Sequence, residues 1–149
     1  MSAGNTAESD ILKLIFNNTA WANVGDAGGI LGSSAAGSLF ISLHTADPGE
    51  TGDQSTSEAT YVGYARVAVA RSTGGWTVSG TAPTQAANVA AITFGACTSG
   101  SNTITHFMVG RATSGTGELI VSGALTASLA VSAGITPGFA IGALTVTCD

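Results

Sequence analysis

Two histidines, His44 and His106, are the side chains in this 149-residue chain best suited to proton transfer near neutral pH. Serine and threonine are abundant around them, so the chemistry they suggest is a His–carboxylate pair activating a hydroxyl nucleophile. The constellations that accompany such chemistry are missing. No G-x-S-x-G turn presents a serine, and no H-E-x-x-H pair could hold zinc. Asp47, Glu50 and Asp53 gather three carboxylates within seven residues, which could in principle bind Ca²⁺. They lack the D-x-[DN]-x-[DN]-G rhythm and the terminal bidentate Glu of an EF-hand, so a solvated acidic loop is expected. Gly115-x-Gly117 has neither a lysine nor a strand–helix context and is not expected to cradle phosphate. Trp21, Trp76, Tyr61 and Tyr64 could stack on a carbohydrate, but at 6% aromatics they are expected to be core and interface anchors. Cys97 and Cys148 are too few for a disulfide scaffold and lack metal spacing, so free thiols are expected. No catalytic residue, metal ligand or cofactor-binding residue is implied, and no cofactor.

The elements that would have to position these residues are mostly strands. One helix is expected near residues 8–18, with Thr6 or Ser9 as N-cap and Glu8 and Asp10 complementing its N-terminus. Ile11, Leu14 and Ile15 fall on one face, Leu12 and Phe16 widen it, and Asn17-Asn18 reads as the end. So short a helix is not stable alone and must dock on something. Residues 23–37 form a glycine- and serine-rich loop, after which the period changes to two. In residues 38–44, Leu39, Ile41 and Leu43 share one face, and Ser38, Phe40, Ser42 and His44 the other, as in a half-buried strand. Ala46-Asp47-Pro48-Gly49 is a strong turn signal, and residues 50–59 read as a surface loop. Further strand-like runs occupy 61–70, 76–79, 87–94, 104–111, 118–125, 128–132 and 141–148, mostly separated by glycine-containing turns. The expected fold is mainly β: an antiparallel β-sandwich or jelly roll of about eight strands behind one short N-terminal α-helix. It is expected to form a single domain over residues 1–149, with residues 1–20 as arm and helix and 38–148 as the sandwich core.

Composition restricts the partners. Charged residues are 9% of the chain, against about 25% in a typical soluble domain. A polar surface of hydroxyls and amides is easier to desolvate than one of ions, which suits a subunit packed against others. The net charge is −5, and the four cations Lys13, Arg66, Arg71 and Arg111 are scattered. A phosphate backbone or anionic membrane needs a basic patch, so no nucleic acid and no membrane partner is expected. Residues 1–10 carry acids rather than the basic start of a signal peptide, so assembly in a bacterial cytoplasm is expected.

The order of several short segments carries a resemblance. After the helix come residues 43–52 (LHTADPGETG) and 63–69 (GYARVAV), followed by 91–94 (AITF), 105–107 (THF), 122–125 (SGAL) and 142–147 (GALTVT). In this order they resemble a family of small tailed-bacteriophage virion structural proteins, whose members are labelled head decoration (cement) protein or tail fibre protein. The resemblance spans essentially the whole chain and implies a non-enzymatic role, since its motifs contain no catalytic residue. The shortness of the chain, its lack of a fibrous repeat and its lack of a second domain favour a decoration protein on the outer capsid surface. That reading implies a homotrimer bound to the major capsid protein and stabilising the shell. The alternative is a tail or tail-fibre component involved in host attachment.

Overall fold

The computed structural model describes residues 3–81 and 83–148, so the first two residues of the expected N-terminal arm lie outside it. The protein is mainly β with one short helix. In chain order the elements are α1 (Asn5–Asn17), β1 (Ser38–His44), β2 (Val67–Ala70), β3 (Trp76–Ser79), β4 (Thr84–Asn88), β5 (Ile92–Thr93), β6 (Asn102–Gly110), β7 (Leu119–Val131), β8 (Gly138–Phe139) and β9 (Thr145–Cys148). They form a four-stranded sheet in the order β2-β1-β6-β7, a three-stranded sheet β3-β4-β9 and a pair β5-β8. The printed pairings within the two larger sheets are antiparallel. Contacts cluster into two compact units, one of residues 1–38, 70–91 and 139–149, the other of 39–69 and 92–138. No helix among the described residues is long and apolar enough to cross a membrane.

The first unit holds α1 and the β3-β4-β9 sheet. The helix starts at Asn5, earlier than its acids suggested, and its N-cap is Gly4, which makes no side-chain cap bond. Thr6 and Ser9 lie inside it, so neither caps it. The end falls where Asn17-Asn18 placed it: Asn18 takes the left-handed conformation (φ 56°), and the Thr19 N–H closes back on the Lys13 carbonyl at 3.1 Å, a Schellman-type stop. The buried stripe is Glu8, Leu12 and Phe16, whereas Ile11, Leu14 and Ile15 are only half-buried. This i, i+4 spacing wins because Phe16 can meet Trp76 edge-on, with ring centroids 4.8 Å apart. Glu8 accompanies them inward beside Thr84 Oγ1, 3.4 Å away. Arg71 supplies the cation that the last turn lacks. Its Nε and Nη2 donate to the carbonyls of Ile15 (2.7 Å) and Leu14 (2.6 Å).

Asn88 accounts for two strands shorter than expected. Its side chain donates to the carbonyls of Ala90 and Ala140 and accepts from the Leu144 N–H, turning the chain where a strand over 87–94 had been expected. The Gly142 N–H donates to the Asn88 carbonyl, and with Gly142 at φ 70° this makes residues 141–144 a turn before β9.

The second unit holds most of the four-stranded sheet. β1 spans the seven expected residues, but Ser42 and His44 are as fully buried as Ile41, because β1 is an inner strand and the chain after it folds back. The expected strand over 61–70 survives only as β2. Gly63, at φ 102°, turns the chain, and a Cβ there would lie 2.2 Å from the Ala96 carbonyl oxygen. The two runs expected at 118–125 and 128–132 are one strand, β7, with a bulge between them. Ile104 pairs with Leu129 and His106 with Ala124, leaving residues 125–128 facing the single residue Thr105.

Candidate functional site

The residues singled out for chemistry converge in the second unit, around the turn after β1. His44 Nδ1 lies 2.8 Å from the Thr56 carbonyl oxygen. A carbonyl only accepts, so Nδ1 carries the proton and Nε2 accepts from Ser42 Oγ, 2.8 Å away. Hydroxyl, imidazole and an orienting acceptor therefore stand in the order of a hydrolase triad. Ser42 and His44 are both fully buried, so a substrate has no route to the hydroxyl, and the pair serves as a satisfied polar element of the core. His106 is the direct cross-strand partner of His44, and its Nδ1 lies 2.8 Å from Thr105 Oγ1.

Burial pushes the His44 pKa below its ordinary 6.5, outweighing the Thr56 hydrogen bond and the attraction of Glu58. The pH dependence follows directly. As pH falls below about 6.5 the unfolded chain takes up a proton that the folded chain refuses, so this contribution is complete above that pH and is lost on descent toward the folded pKa. Stability to urea is expected to fall between pH 7 and 5, and His44→Gln should flatten that slope. An unchanged slope in the variant would assign the titration elsewhere.

Beside this pair sits an arginine hub. Arg66 Nε donates to Glu58 Oε1 (2.6 Å) and Nη2 to Glu58 Oε2 (2.7 Å), a bidentate pair whose arginine side chain is only 2% exposed. The remaining donors reach the carbonyls of Ala112 (3.0 Å), Gln54 (3.0 Å) and Gly115 (2.7 Å). Tyr64 completes the cluster. Its hydroxyl donates to Glu58 Oε1 and accepts from the Leu43 N–H. Burial raises the Tyr64 pKa strongly, so the phenol keeps the proton that it donates.

Gln54 is fully buried, although residues 50–59 had read as a surface loop. Its side chain donates to the Phe40 carbonyl and accepts from the Ala112 N–H, so it substitutes for a missing strand pairing. Gly110 and Gly117 make the room. A Cβ on either would lie 2.1 Å from the Gln54 side chain. The Gly115 and Gly117 carbonyls accept from Arg66 and from the Gln54 N–H, so this loop presents acceptors to the protein's own donors.

The other candidates are likewise committed to the scaffold. Asp47 Oδ1 caps the Gly49 N–H, and Asp53 Oδ1 accepts from both the N–H and Oγ of Ser55. The Ser55 hydroxyl bond lowers the Asp53 pKa. Among the described residues no group of three or more His, Cys, Asp or Glu side chains could hold a metal ion. Trp76 and Tyr61 are buried, Tyr61 packs edge-on against Tyr64, and Tyr64 stacks on Phe94, so these rings are core. Trp21 is half-buried and pairs through its backbone with Ile30. Cys97 and Cys148 are free thiols, Cys97 buried.

The hub was not visible in the sequence as a site. Its signal lay in the segments carrying the resemblance, since Leu43–Gly52 and Gly63–Val69 contain His44, Tyr64 and Arg66. Its geometry binds loops together and presents no reacting atom to solvent. No curated protein matches the chain. The family model described as podophage GP4 fiber I protein gp80 matches it over residues 2–147.

Proposed function

The chain belongs to the podophage GP4 fiber I protein gp80 family, and from this premise we propose that it is a structural component of a podophage tail fibre, assembled from several copies. Membership makes it a phage virion structural protein. The expected decoration role on the capsid surface has no support in that family, and the tail-fibre alternative fits it better. The family match over residues 2–147 carries the proposal. The internal commitment of Ser42, His44, Glu58 and Arg66 supports a non-enzymatic role. In this reading the partners are further copies of the chain and other fibre or tail subunits in place of the major capsid protein. Nucleic acid and membrane remain outside the proposed partners, given the four scattered cations.

Location in the virion tests this directly. Gold-labelled antibody on intact particles should mark the tail in few copies. Particles lacking the protein should retain their heat resistance and lose adsorption to host cells. Label spread over the head in hundreds of copies, with early DNA loss on heating, would restore the decoration reading.

A further inference from the structure

β7 leaves one edge of the four-stranded sheet open. It lies at the end of the order β2-β1-β6-β7, and among the described residues its backbone hydrogen-bonds to no element but β6. Sheets usually blunt such an edge with lysine, proline or a very short strand. β7 is the longest strand, at 13 residues, and contains no charged residue and no proline. A bulge at 125–128 divides it, but Val121–Ala124 runs in unbroken register with β6, presenting a regular row of outward N–H and C=O groups. Another strand edge matches such a row. The sheet's opposite edge, β2, is four residues long and sits between Arg66 and Arg71, so β7 carries most of the sheet's free pairing capacity.

We propose that β7 is the seam at which a second copy of this chain adds, its own β7 running antiparallel to the first. Two features of the strand select a copy of itself. A two-fold axis brings edges of equal length together, and the absence of any ionisable side chain from Leu119 to Val131 means that no like charges oppose each other. The two sheets then become one, β2-β1-β6-β7-β7-β6-β1-β2. The proposal deepens the several-copy part of the proposed function and rests on it, specifying the surface that joins two copies.

The test uses the full chain. Ser122 and Ala124 are exposed on β7, and changing both to lysine sets like charges across the seam while leaving the core untouched. Sedimentation at micromolar concentration should show the wild type self-associated and the double variant shifted at least tenfold toward monomer, with an unchanged circular dichroism spectrum. The matched control, Thr145→Lys with Thr147→Lys on the short edge strand β9, should leave the mass unchanged. Amide hydrogen exchange gives a second reading. Alternate amides of 119–124, fast in dilute protein, should become protected as concentration rises. An associated wild type that the β7 lysines leave intact, or whose outward β7 amides exchange fast, would overturn the seam alone. A wild type that stays monomeric would overturn the seam together with self-association in solution, and antibody labelling of virions would still decide the fibre assignment.

Discussion

Replacing Arg66 by methionine is expected to destabilise the protein by about 3–5 kcal/mol, among the largest effects of any single substitution, because it strands the Glu58 carboxylate in a partly buried site. The guanidinium makes five hydrogen bonds, to both Glu58 oxygens and to the carbonyls of Gln54, Ala112 and Gly115. Lysine retains the charge but not the planar fork, so Arg66→Lys should recover less than half of the loss. A double-mutant cycle with Glu58→Gln separates the pair from the loop carbonyls. If the ion pair dominates, the double variant should be about as stable as Arg66→Met alone, since the second change removes the stranded charge. Urea unfolding at pH 7 reads all four proteins. A loss below about 1 kcal/mol for Arg66→Met, the range of an exposed pair, would show that the hub is not the fastener its geometry implies.

Trp76→Ala should cost a comparable amount, about 3–5 kcal/mol, through a different mechanism. Trp76 is fully buried in the first unit against Phe16, and the Asn17 side chain donates to its carbonyl at 2.9 Å. Alanine leaves a cavity between α1 and the β3-β4-β9 sheet, and a 13-residue helix without its apolar seat has little stability of its own. Trp76→Phe should be far milder. The indole Nε1 is buried without a hydrogen-bond partner, so phenylalanine removes an unsatisfied donor together with some of the ring contact. Thermal melts followed by circular dichroism distinguish the two. Equal losses for alanine and phenylalanine would mean that the indole nitrogen is satisfied and the ring's shape is secondary.

Much of the fold was legible because secondary structure is written in local periodicity. The two-residue alternation marked β1 and β3 to the residue, and the helix was visible with its end at Asn17-Asn18. Even the two runs expected in place of β7 were separated near the bulge at 125–128. The helix start and its buried face were misread because Gly4 offers no capping side chain to notice, and because the location of Trp76, rather than the hydrophobicity of Ile11, Leu14 and Ile15, decides which stripe turns inward.

By itself the sequence determined the fold class and the absence of recognisable catalytic motifs, and its ordered segments carried the kinship with phage virion proteins. Only the tertiary structure decided the fate of each candidate side chain. Ser42 and His44 form a hydrolase-like pair two residues apart, yet the covering that seals it comes from the chain around Thr56. The Arg66 bond to Ala112 spans 46 residues and the Gln54 bond to the same residue spans 58. Such bonds leave no period in the sequence. They depend on where loops return, and that return is set by a few glycines giving way to one glutamine and by a buried cation gathering carbonyls from three separate turns.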